Sequence, residues 1–325
     1  MQRGKIEPSA CTLFKFDVCG PERSRLVAEN FRCLRVPASS ANLGPGFDAL
    51  GLAVGVYLEC RFRISDRLTI RATGRDVESI STGEDNFIWQ TALKVASDVG
   101  CTMPPIELEI DNAIPLGKGL GSSAAALTAG VVIADEALGL HWPVQKVLDE
   151  AAKIEGHPDN VAACVLGSMV ASAIDSVGIA HAVRLELHPK FAVAVVVPDF
   201  MLPTVEARRV LPDSYSKADT IFNVQRSALL ITALATGTTS AFPTALEDRL
   251  HQPYRAPLVP GLDEITKLRA PGLLGCALSG AGPSILVFYE RGYESVCQLV
   301  CDVFKARGHA SEIMWTELAD GYKLT

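Results

Sequence analysis

The residues best suited to chemistry lie in a glycine-rich stretch, PLGKGLGSSAA, at residues 115–125. Because glycine adopts left-handed backbone conformations at little cost, three glycines within five residues let several backbone N–H groups converge on one point. The apolar run Ser122–Leu138 predicts a buried helix that opens at the same place and adds its free N–H groups and its dipole. Loop and helix together predict a cradle for phosphate, and the two serine hydroxyls also suit a hydrated Mg²⁺.

The alternative for this stretch is a flexible surface turn. A surface turn would not be followed by an apolar, alanine-rich helix, so the phosphate cradle is the preferred interpretation. The stretch is not a Walker loop, because no GK[ST] ends it, and it is not a GxGxxG turn after a strand.

Two further stretches are rich in glycine and proline. The first, VPASSANLGPGFD at residues 36–48, is too polar for a core and offers Asn42 and Asp48 as hydrogen-bonding groups. The second, LSGAGPS at residues 278–284, is a tight turn before a predicted strand. Taken alone, the first is an ordinary connector and the second a hairpin turn.

In this order along the chain, the three stretches resemble the three motifs of the GHMP small-molecule kinases. Within that superfamily, the segment PASSANLGPGFDALG resembles the homoserine kinases, as do EGHPDNVA at residues 155–162 and HQPYR at residues 251–255. The resemblance extends from residue 35 to about residue 315. It implies transfer of the γ-phosphoryl group of ATP to the side-chain hydroxyl of L-homoserine, a step of threonine biosynthesis.

The resemblance also assigns the ATP and Mg²⁺ ligands. Mg²⁺ takes few protein ligands and keeps several waters. Glu155 is the implied carboxylate ligand and Ser123 the hydroxyl ligand, with Ser122 as the alternative for the hydroxyl. The loop implied to wrap the triphosphate consists of Pro115, Gly117, Lys118, Gly119, Leu120, Gly121, Ser122 and Ser123. Lys118 stands where a small residue is commoner, and we expect its side chain to point outward rather than toward the phosphates.

Homoserine is a zwitterion with a hydroxyl, so its site needs a cation, an anion and polar groups. By resemblance, Arg208 and Arg255 bind the carboxylate, for which the planar guanidinium is well suited. Asn42 and Asp48 are implied to contact the ammonium and the reacting hydroxyl. The remaining residues implied to line the site are His157 and Thr204.

No general base is evident in the sequence. Mevalonate kinase has an aspartate where this chain has Asn160, and an amide cannot act as a general base. We therefore expect positioning by ATP and Mg²⁺, with a phosphate oxygen taking the proton; Asp48 is the only nearby carboxylate expected as an alternative base. The residues expected to act in catalysis are Asn42, Asp48, Asn160 and Thr204. In the segment DNFI at residues 85–88, Asn86 and Ile88 are expected beside the adenine.

Strand-like and helix-like stretches alternate without a regular βαβ order, which favours an α+β fold. The resemblance implies the two-domain GHMP kinase fold, with a left-handed βαβ unit in the N-terminal domain and a ferredoxin-like C-terminal domain. We expect a poorly ordered leader over residues 1–32, an ATP-binding domain over residues 33–185 and a second domain over residues 186–325. Residues 38–46 are expected to form a loop.

Composition limits the remaining classes of function. The net charge of −7 argues against a nucleic-acid platform, and no stretch is apolar enough for a membrane helix. Nine scattered cysteines without zinc spacing are typical of reduced thiols in a cytoplasmic protein. Two other functions stay open: a GHMP kinase for another small alcohol, and a non-catalytic binding or regulatory protein. The resemblance further implies a homodimer, and threonine is a plausible feedback inhibitor.

Overall fold

The structure is a computed structural model that describes residues 30–325. Most of the expected leader, residues 1–29, lies outside the described residues. In the part that the structure describes, no helix is long and apolar enough to cross a membrane. The cysteines of this part form no disulfide with one another.

Strands and helices are named in chain order. The strands are β1 Arg32–Ala41, β2 Leu50–Ile64, β3 Thr69–Gly74, β4 Ile106–Asn112, β5 Met169–Ile174, β6 Ala180–Leu185, β7 Phe191–Pro198, β8 Leu273–Leu278, β9 Ile285–Glu290, β10 Ser311–Thr316 and β11 Lys323–Leu324. The helices are α1 Phe87–Asp98, α2 Ser122–Leu138, α3 Val144–Glu155, α4 Asp159–Leu166, α5 Thr204–Arg209, α6 Lys217–Thr236, α7 Phe242–Ala245, α8 Gln252–Arg255, α9 Leu262–Ile265 and α10 Gln298–Ala306.

In the described residues, the first sheet has seven strands: β1 to β6 from residues 32–185, and β11 from residues 323–324. Its order is β11-β1-β2-β4-β3, and β5 joins the other end of the long strand β2 and pairs with β6. All of these pairs are antiparallel except β3 with β4. Parallel neighbours need a crossover connection, and α1 provides it. Strands β3 and β4 with α1 therefore form a βαβ unit.

The second sheet has four antiparallel strands in the order β10-β7-β9-β8. Helix α6 lies between β7 and β8 in the sequence, and α10 lies between β9 and β10. This β-α-β-β-α-β succession with its 4-1-3-2 strand order is the ferredoxin-like arrangement. The two sheets confirm the expected two-domain α+β fold.

Strand β7 shows how the two halves share a core. Its continuous apolar sequence predicts a strand buried on both faces, and the structure confirms this burial. Val193, Val195 and Val197 pack into the core that also contains the first sheet. Ala194 and Val196 pack on the opposite side, in the core that includes α10.

The structure corrects part of the loop expected over residues 38–46. Residues 38–41 continue β1 and pair with β2, beyond a register shift at Pro37/Ala38. Small, buried serines and alanines in this stretch look like a loop in sequence, but they fit a strand covered by α2 and α4. The polar loop begins only at Asn42.

The expected division at residue 185 falls between the two sheets, since β6 ends there and β7 begins at Phe191. The last residues return to the first sheet: Leu318 bridges to Val54, and β11 pairs with β1. The tail after β10 thus packs against the N-terminal domain.

Candidate functional site

The three glycine-rich stretches meet at one place. The backbone N–H of Ser39 donates to the carbonyl of Leu120, which joins β1 to the phosphate loop, at 3.0 Å. The Ser279 hydroxyl donates to the carbonyl of Gly119 at 2.7 Å and contacts the Ser40 hydroxyl at 2.8 Å. The Gly280 N–H donates to the Ala41 carbonyl at 3.0 Å. The sequence segments that suggested chemistry are therefore packed directly against one another.

Close packing explains why the phosphate loop needs its glycines. Gly117, Gly119 and Gly121 have φ values of +66°, +77° and +65°, all in the left-handed region. A Cβ atom on Gly119 would lie 2.3 Å from the Ser279 carbonyl oxygen, and one on Gly121 would lie 2.0 Å from the Ser39 hydroxyl. Helix α2 begins at the next residue, Ser122, as the sequence predicts.

A small cavity of about 100 Å³ lies beside the start of α2. It is lined by the three glycines of the phosphate loop and by residues from the loop after β1, from α2, α3, α4, α5 and α8, and from the turn after β8. Every residue expected to bind the substrate or the metal is among its lining residues: Asn42, Asp48, Ser123, Glu155, His157, Asn160, Thr204, Arg208 and Arg255. One cavity thus collects side chains that lie far apart in the sequence.

Asp48 and Arg208 form an ion pair inside this cavity. The two guanidinium nitrogens of Arg208 donate to the two carboxylate oxygens of Asp48 at 2.9 and 3.2 Å. Asp48 has a φ of +53°, a conformation that aspartate tolerates better than most residues. The pair joins the first glycine-rich loop to α5, which also carries Thr204.

Arg255 is a buried cation in the same cavity, with 1% of its surface exposed. Its Nε donates to the Ala207 carbonyl, and its Nη1 donates to the Gly280 carbonyl and to His251 Nδ1. Burial lowers the pKa of Arg255 to about 10, so it stays charged at neutral pH. Among residues 30–325, no carboxylate lies within 4.0 Å of it. A buried guanidinium without an anion suits a negatively charged ligand.

Glu155, His157 and Asp159 form the acidic side of the cavity. Burial raises the pKa of Glu155, and His157 Nε2 lies 3.9 Å from its Oε1. Burial alone would lower the pKa of His157, but its 2.7 Å hydrogen bond and its proximity to the Asp159 carboxylate outweigh burial and raise it. Among residues 30–325, no ammonium or guanidinium lies within 4.0 Å of the Glu155 carboxylate, which lines the same cavity as Ser122 and Ser123. Such a carboxylate fits a hydrated divalent cation.

Asp159 corrects the expectation that Asp48 is the only nearby carboxylate. Its side chain is 1% exposed, lines the cavity and accepts a 2.8 Å hydrogen bond from the Asn160 backbone N–H. Asp48, His157 and Asp159 offer ligand atoms within 4.8 Å of one another. Because the guanidinium of Arg208 already holds both Asp48 oxygens, this trio is less suited to a metal than Glu155. The sequence does contain an indication that Asp159 belongs to the site, because Asp159 comes two residues after His157.

Two of the expected catalytic amides are partly occupied by structural contacts. Asn42 donates from Nδ2 to the Gly280 carbonyl and accepts the Asp48 N–H at Oδ1. The Asn160 Oδ1 accepts from the Ser39 hydroxyl at 2.9 Å, and its Nδ2 makes a 3.5 Å contact to Asp159. Thr204 is exposed at the start of α5.

A second cavity, of about 380 Å³, shares Ser122 and Ser123 with the first and extends toward α1. Ile88 lines it as expected, and so do Phe87 and Leu116, which the sequence analysis did not single out. Asn86 lines it too, but its side chain caps α1: Oδ1 accepts from the Ile88 and Trp89 N–H groups. Its apolar walls suit a planar aromatic base.

Lys118 does not point into open solvent. Its ammonium donates to the carbonyls of Pro198 and Phe200 at 2.9 and 2.7 Å, and burial lowers its pKa. Pro115 and Leu120, also expected around the triphosphate, are buried, and neither is among the lining residues described for the two cavities. Of these two residues, only Leu120 has a backbone N–H that could donate to the triphosphate, since proline has none.

This chain is similar to known proteins in both of its halves. The family model described as GHMP kinases N terminal domain matches residues 86–168, and GHMP kinases C terminal matches residues 230–300. A homoserine kinase of Solibacter usitatus is 69% identical over 293 residues, which are 90% of this chain and 96% of that protein. A homoserine kinase of Deinococcus radiodurans is 46% identical, over 79% of this chain and 84% of the relative.

Solved structures agree. The homoserine kinase from Cytophaga hutchinsonii superposes with a TM-score of 0.79 at 29% identity, over 91% of this chain and 98% of the other. Lactococcus lactis galactokinase, solved with galactose, superposes with a TM-score of 0.64 at 15% identity, over 93% and 98%, and so shares the fold. On the strength of its sequence identity to whole homoserine kinases, this chain belongs to the homoserine kinase family of the GHMP kinases.

Proposed function

We propose that this chain transfers the γ-phosphoryl group of ATP to the side-chain hydroxyl of L-homoserine, giving O-phospho-L-homoserine, and that the cavity beside the phosphate loop holds the amino acid. The chain is a kinase of the homoserine kinase family, with homoserine and ATP as its substrates. One observation carries the assignment of residues. The cavity brings two guanidinium groups, those of Arg208 and Arg255, beside the start of α2, together with three carboxylates, those of Asp48, Glu155 and Asp159.

The charges match the parts of a zwitterion. In our proposal the substrate carboxylate binds Arg208 and Arg255, and Arg255 has no carboxylate within 4.0 Å in the described part of the chain. The ammonium binds Asp48 when Arg208 turns to the carboxylate, with Asp159 close by. Binding thus replaces the Asp48–Arg208 pair by two pairs, one at the substrate carboxylate and one at its ammonium. Every charge stays paired, and this matters because an unpaired buried charge costs free energy.

The hydroxyl would lie between the polar groups of Asn42 and Thr204 and the phosphate loop. Backbone N–H groups of residues 117–122 and the N-terminus of α2 bind the triphosphate, and the second cavity takes the adenine beside Ile88. Mg²⁺ would be held by Glu155 with Ser123 or Ser122, and when bound it neutralises charge on the phosphates. Positioning and charge neutralisation dominate phosphoryl transfer, because its transition state is loose.

We further propose that no protein side chain acts as the general base. Asn160 is an amide. Asp48, which Arg208 holds in the ligand-free protein, is paired with the substrate ammonium in the proposed complex. Asp159 is held by His157 and by the Asn160 N–H. The hydroxyl proton then passes to a phosphate oxygen.

The test is release of ADP from Mg-ATP in the presence of L-homoserine, L-serine, L-threonine or mevalonate, with ³¹P NMR of the product. We expect turnover of homoserine and none of mevalonate. Turnover of another alcohol instead would support a GHMP kinase of different specificity, and binding of ATP without any turnover would support a regulatory protein. In the same assay, Arg208→Met should raise KM for homoserine by at least about 10-fold, as loss of a charged hydrogen-bonded contact implies.

Arg209→Met is the matched control for that variant. Arg209 follows Arg208 on α5, is exposed, and has no ion pair with any carboxylate of the described residues. Its replacement should leave both KM values unchanged. Equal effects of the two substitutions would argue against the substrate role of Arg208.

Three further parts belong to this proposal. Threonine shares the ammonium and carboxylate of homoserine, so it should compete for the same side chains at millimolar concentration. A homodimer is expected from the resemblance and is tested by sedimentation velocity. The domains are assigned as residues 33–185 and 186–325, a division that limited proteolysis can examine.

A further inference from the structure

His251 is a fully buried histidine that the proposed reaction does not use. It lies one residue before α8, with 0% of its surface exposed. Its Nδ1 lies 3.1 Å from Arg255 Nη1, and its Nε2 lies 2.7 Å from the Gly44 carbonyl oxygen. The imidazole therefore connects the loop that carries Asp48 to the guanidinium of Arg255.

The partners determine where its proton lies. Gly44 offers only an acceptor and Arg255 only donors, so Nε2 must donate and Nδ1 must accept. Asp248 lies 3.4 Å from Nε2 and supports the same arrangement. The ring is neutral, because burial lowers the pKa of His251 more than the Asp248 charge raises it. A protonated ring would direct an N–H against an N–H of Arg255.

Other groups around the ring hold it in place without replacing its acceptor. Phe47 stacks on it with ring centroids 5.4 Å apart and an angle of 22°. Asp248 accepts hydrogen bonds from the backbone N–H groups of His251 and Gln252, which fixes the start of α8. Asp48 and Arg255 are the other charges that act on the ring.

We propose that His251 is a positioning residue for substrate recognition: its Nδ1 holds Arg255 so that the remaining Nη2 edge of the guanidinium faces the substrate carboxylate. The inference rests on the proposed function, because it concerns the residue that orients the proposed carboxylate-binding arginine. Arg255 directs Nε to Ala207 and Nη1 to Gly280 and His251, and no described partner takes Nη2. An apolar residue at position 251 would leave one buried N–H of Nη1 without its acceptor and let the guanidinium turn.

The test compares His251→Leu with His251→Asn. Leucine fills the space without an acceptor, whereas the asparagine Oδ1 can take the place of Nδ1. We expect His251→Leu to raise KM for homoserine by at least about 10-fold, with KM for ATP within about twofold. His251→Asn should restore most of that loss. His181→Leu, at an exposed histidine on β6, is the control and should change neither KM.

A merely structural role predicts a different pattern. It would lower the melting temperature and the active fraction, with equal effects on both KM values and no rescue by asparagine. Any of those kinetic results in folded protein would overturn the proposal. A coupled test is His251→Leu in an Arg255→Lys background, where we expect no additional rise in KM for homoserine; a full additional rise would also overturn it.

A measurement on the unmodified protein does not depend on the variants folding. Histidine ¹⁵N NMR distinguishes the two neutral tautomers, and the chain has six histidines. We expect one that keeps its proton on Nε2 and does not titrate between about pH 5.5 and 8. A proton on Nδ1 would overturn the inference. Failure of the unmodified protein to phosphorylate homoserine would instead overturn the proposed function, and the tautomer would still report the contact with Arg255.

Discussion

Asp48 and Arg208, 160 residues apart in the chain, line the same cavity and form a two-bond ion pair there. Both side chains were expected to bind opposite ends of the same substrate. Their pairing means that a zwitterion competes with a contact inside the protein, and that binding exchanges partners rather than creating charges. The net binding free energy from each substrate contact is therefore smaller than the short distances suggest. A partly exposed ion pair contributes little free energy in any case.

The first prediction concerns this pair. Asp48→Asn removes one charge and leaves Arg208 with an amide, so we expect KM for homoserine to rise by about 10-fold or more while kcat stays within about threefold. Steady-state kinetics at saturating ATP measures both. Asp66→Asn, at an exposed aspartate between β2 and β3, is the control. A loss of kcat by about 1000-fold at unchanged KM would assign Asp48 as the base.

Glu155→Gln should separate the metal site from the rest of the cavity. Loss of the carboxylate should lower activity at 1 mM Mg²⁺ by at least about 100-fold, because no other protein carboxylate is assigned to the metal. Titration with Mg²⁺ should show that higher concentrations recover part of the activity. If the Mg²⁺ dependence were unchanged, another residue would hold the metal.

The same variant predicts a pH dependence of stability. Burial raises the folded-state pKa of Glu155, so the folded protein prefers the protonated form. Stability then falls as pH rises from the ordinary carboxyl pKa through the raised one. Glu155→Gln removes that loss, and without Mg²⁺ its melting temperature should exceed that of the unmodified protein at pH 7 but not at pH 3. A variant that is less stable at pH 7 would contradict this sign.

Gly119→Ala tests the close approach of the phosphate loop to the turn after β8. The new Cβ would lie 2.3 Å from the Ser279 carbonyl oxygen, at a φ of +77°. Gly139→Ala is the matched control, because Gly139 has a φ of +63° with nothing within 4 Å. Urea unfolding should show a loss of about 1 kcal/mol for the control and at least about 2 kcal/mol more for Gly119→Ala. Equal losses would mean that the loop can move away.

Lys118→Met tests whether this lysine acts on the phosphates or on the fold. Its ammonium joins the phosphate loop to the carbonyls of Pro198 and Phe200, just before α5 with Thr204 and Arg208. Losing these bonds should raise KM for ATP and for homoserine together, by about fivefold each. An effect on ATP and kcat alone would show that Lys118 binds the phosphates instead.

Some of this arrangement could be predicted from the sequence because local chemistry determines it. The glycines of the phosphate loop and the apolar run after them predict both the turn and the bounds of α2, Ser122–Leu138. The continuous apolar run of β7 predicts a strand buried on two faces. In each case the pattern is confined to a few neighbouring residues, and tertiary contacts do not override it.

Other features depend on contacts that the sequence does not display. Helix α4, Asp159–Leu166, does not stand out in the sequence, because its first turn is a polar motif and its length is only about two turns. Asn86, which is expected beside the adenine, lines the second cavity, and its side chain also caps α1 by accepting two backbone N–H groups. The acceptor role of His251 appears only once Gly44 and Arg255 are known to lie on either side of its ring.

The returning tail sets an order of events during synthesis. Strand β11 pairs with β1, and the Cys33 and Thr325 backbones exchange two hydrogen bonds, between residues 292 positions apart. Once residues 32–185 have been synthesised, every described strand of the first sheet is present except the edge strand β11. That half must wait, with the outer edge of β1 unpaired, until the ferredoxin-like half has been translated. Sequence separation of this size slows folding and leaves an exposed strand edge open to other chains.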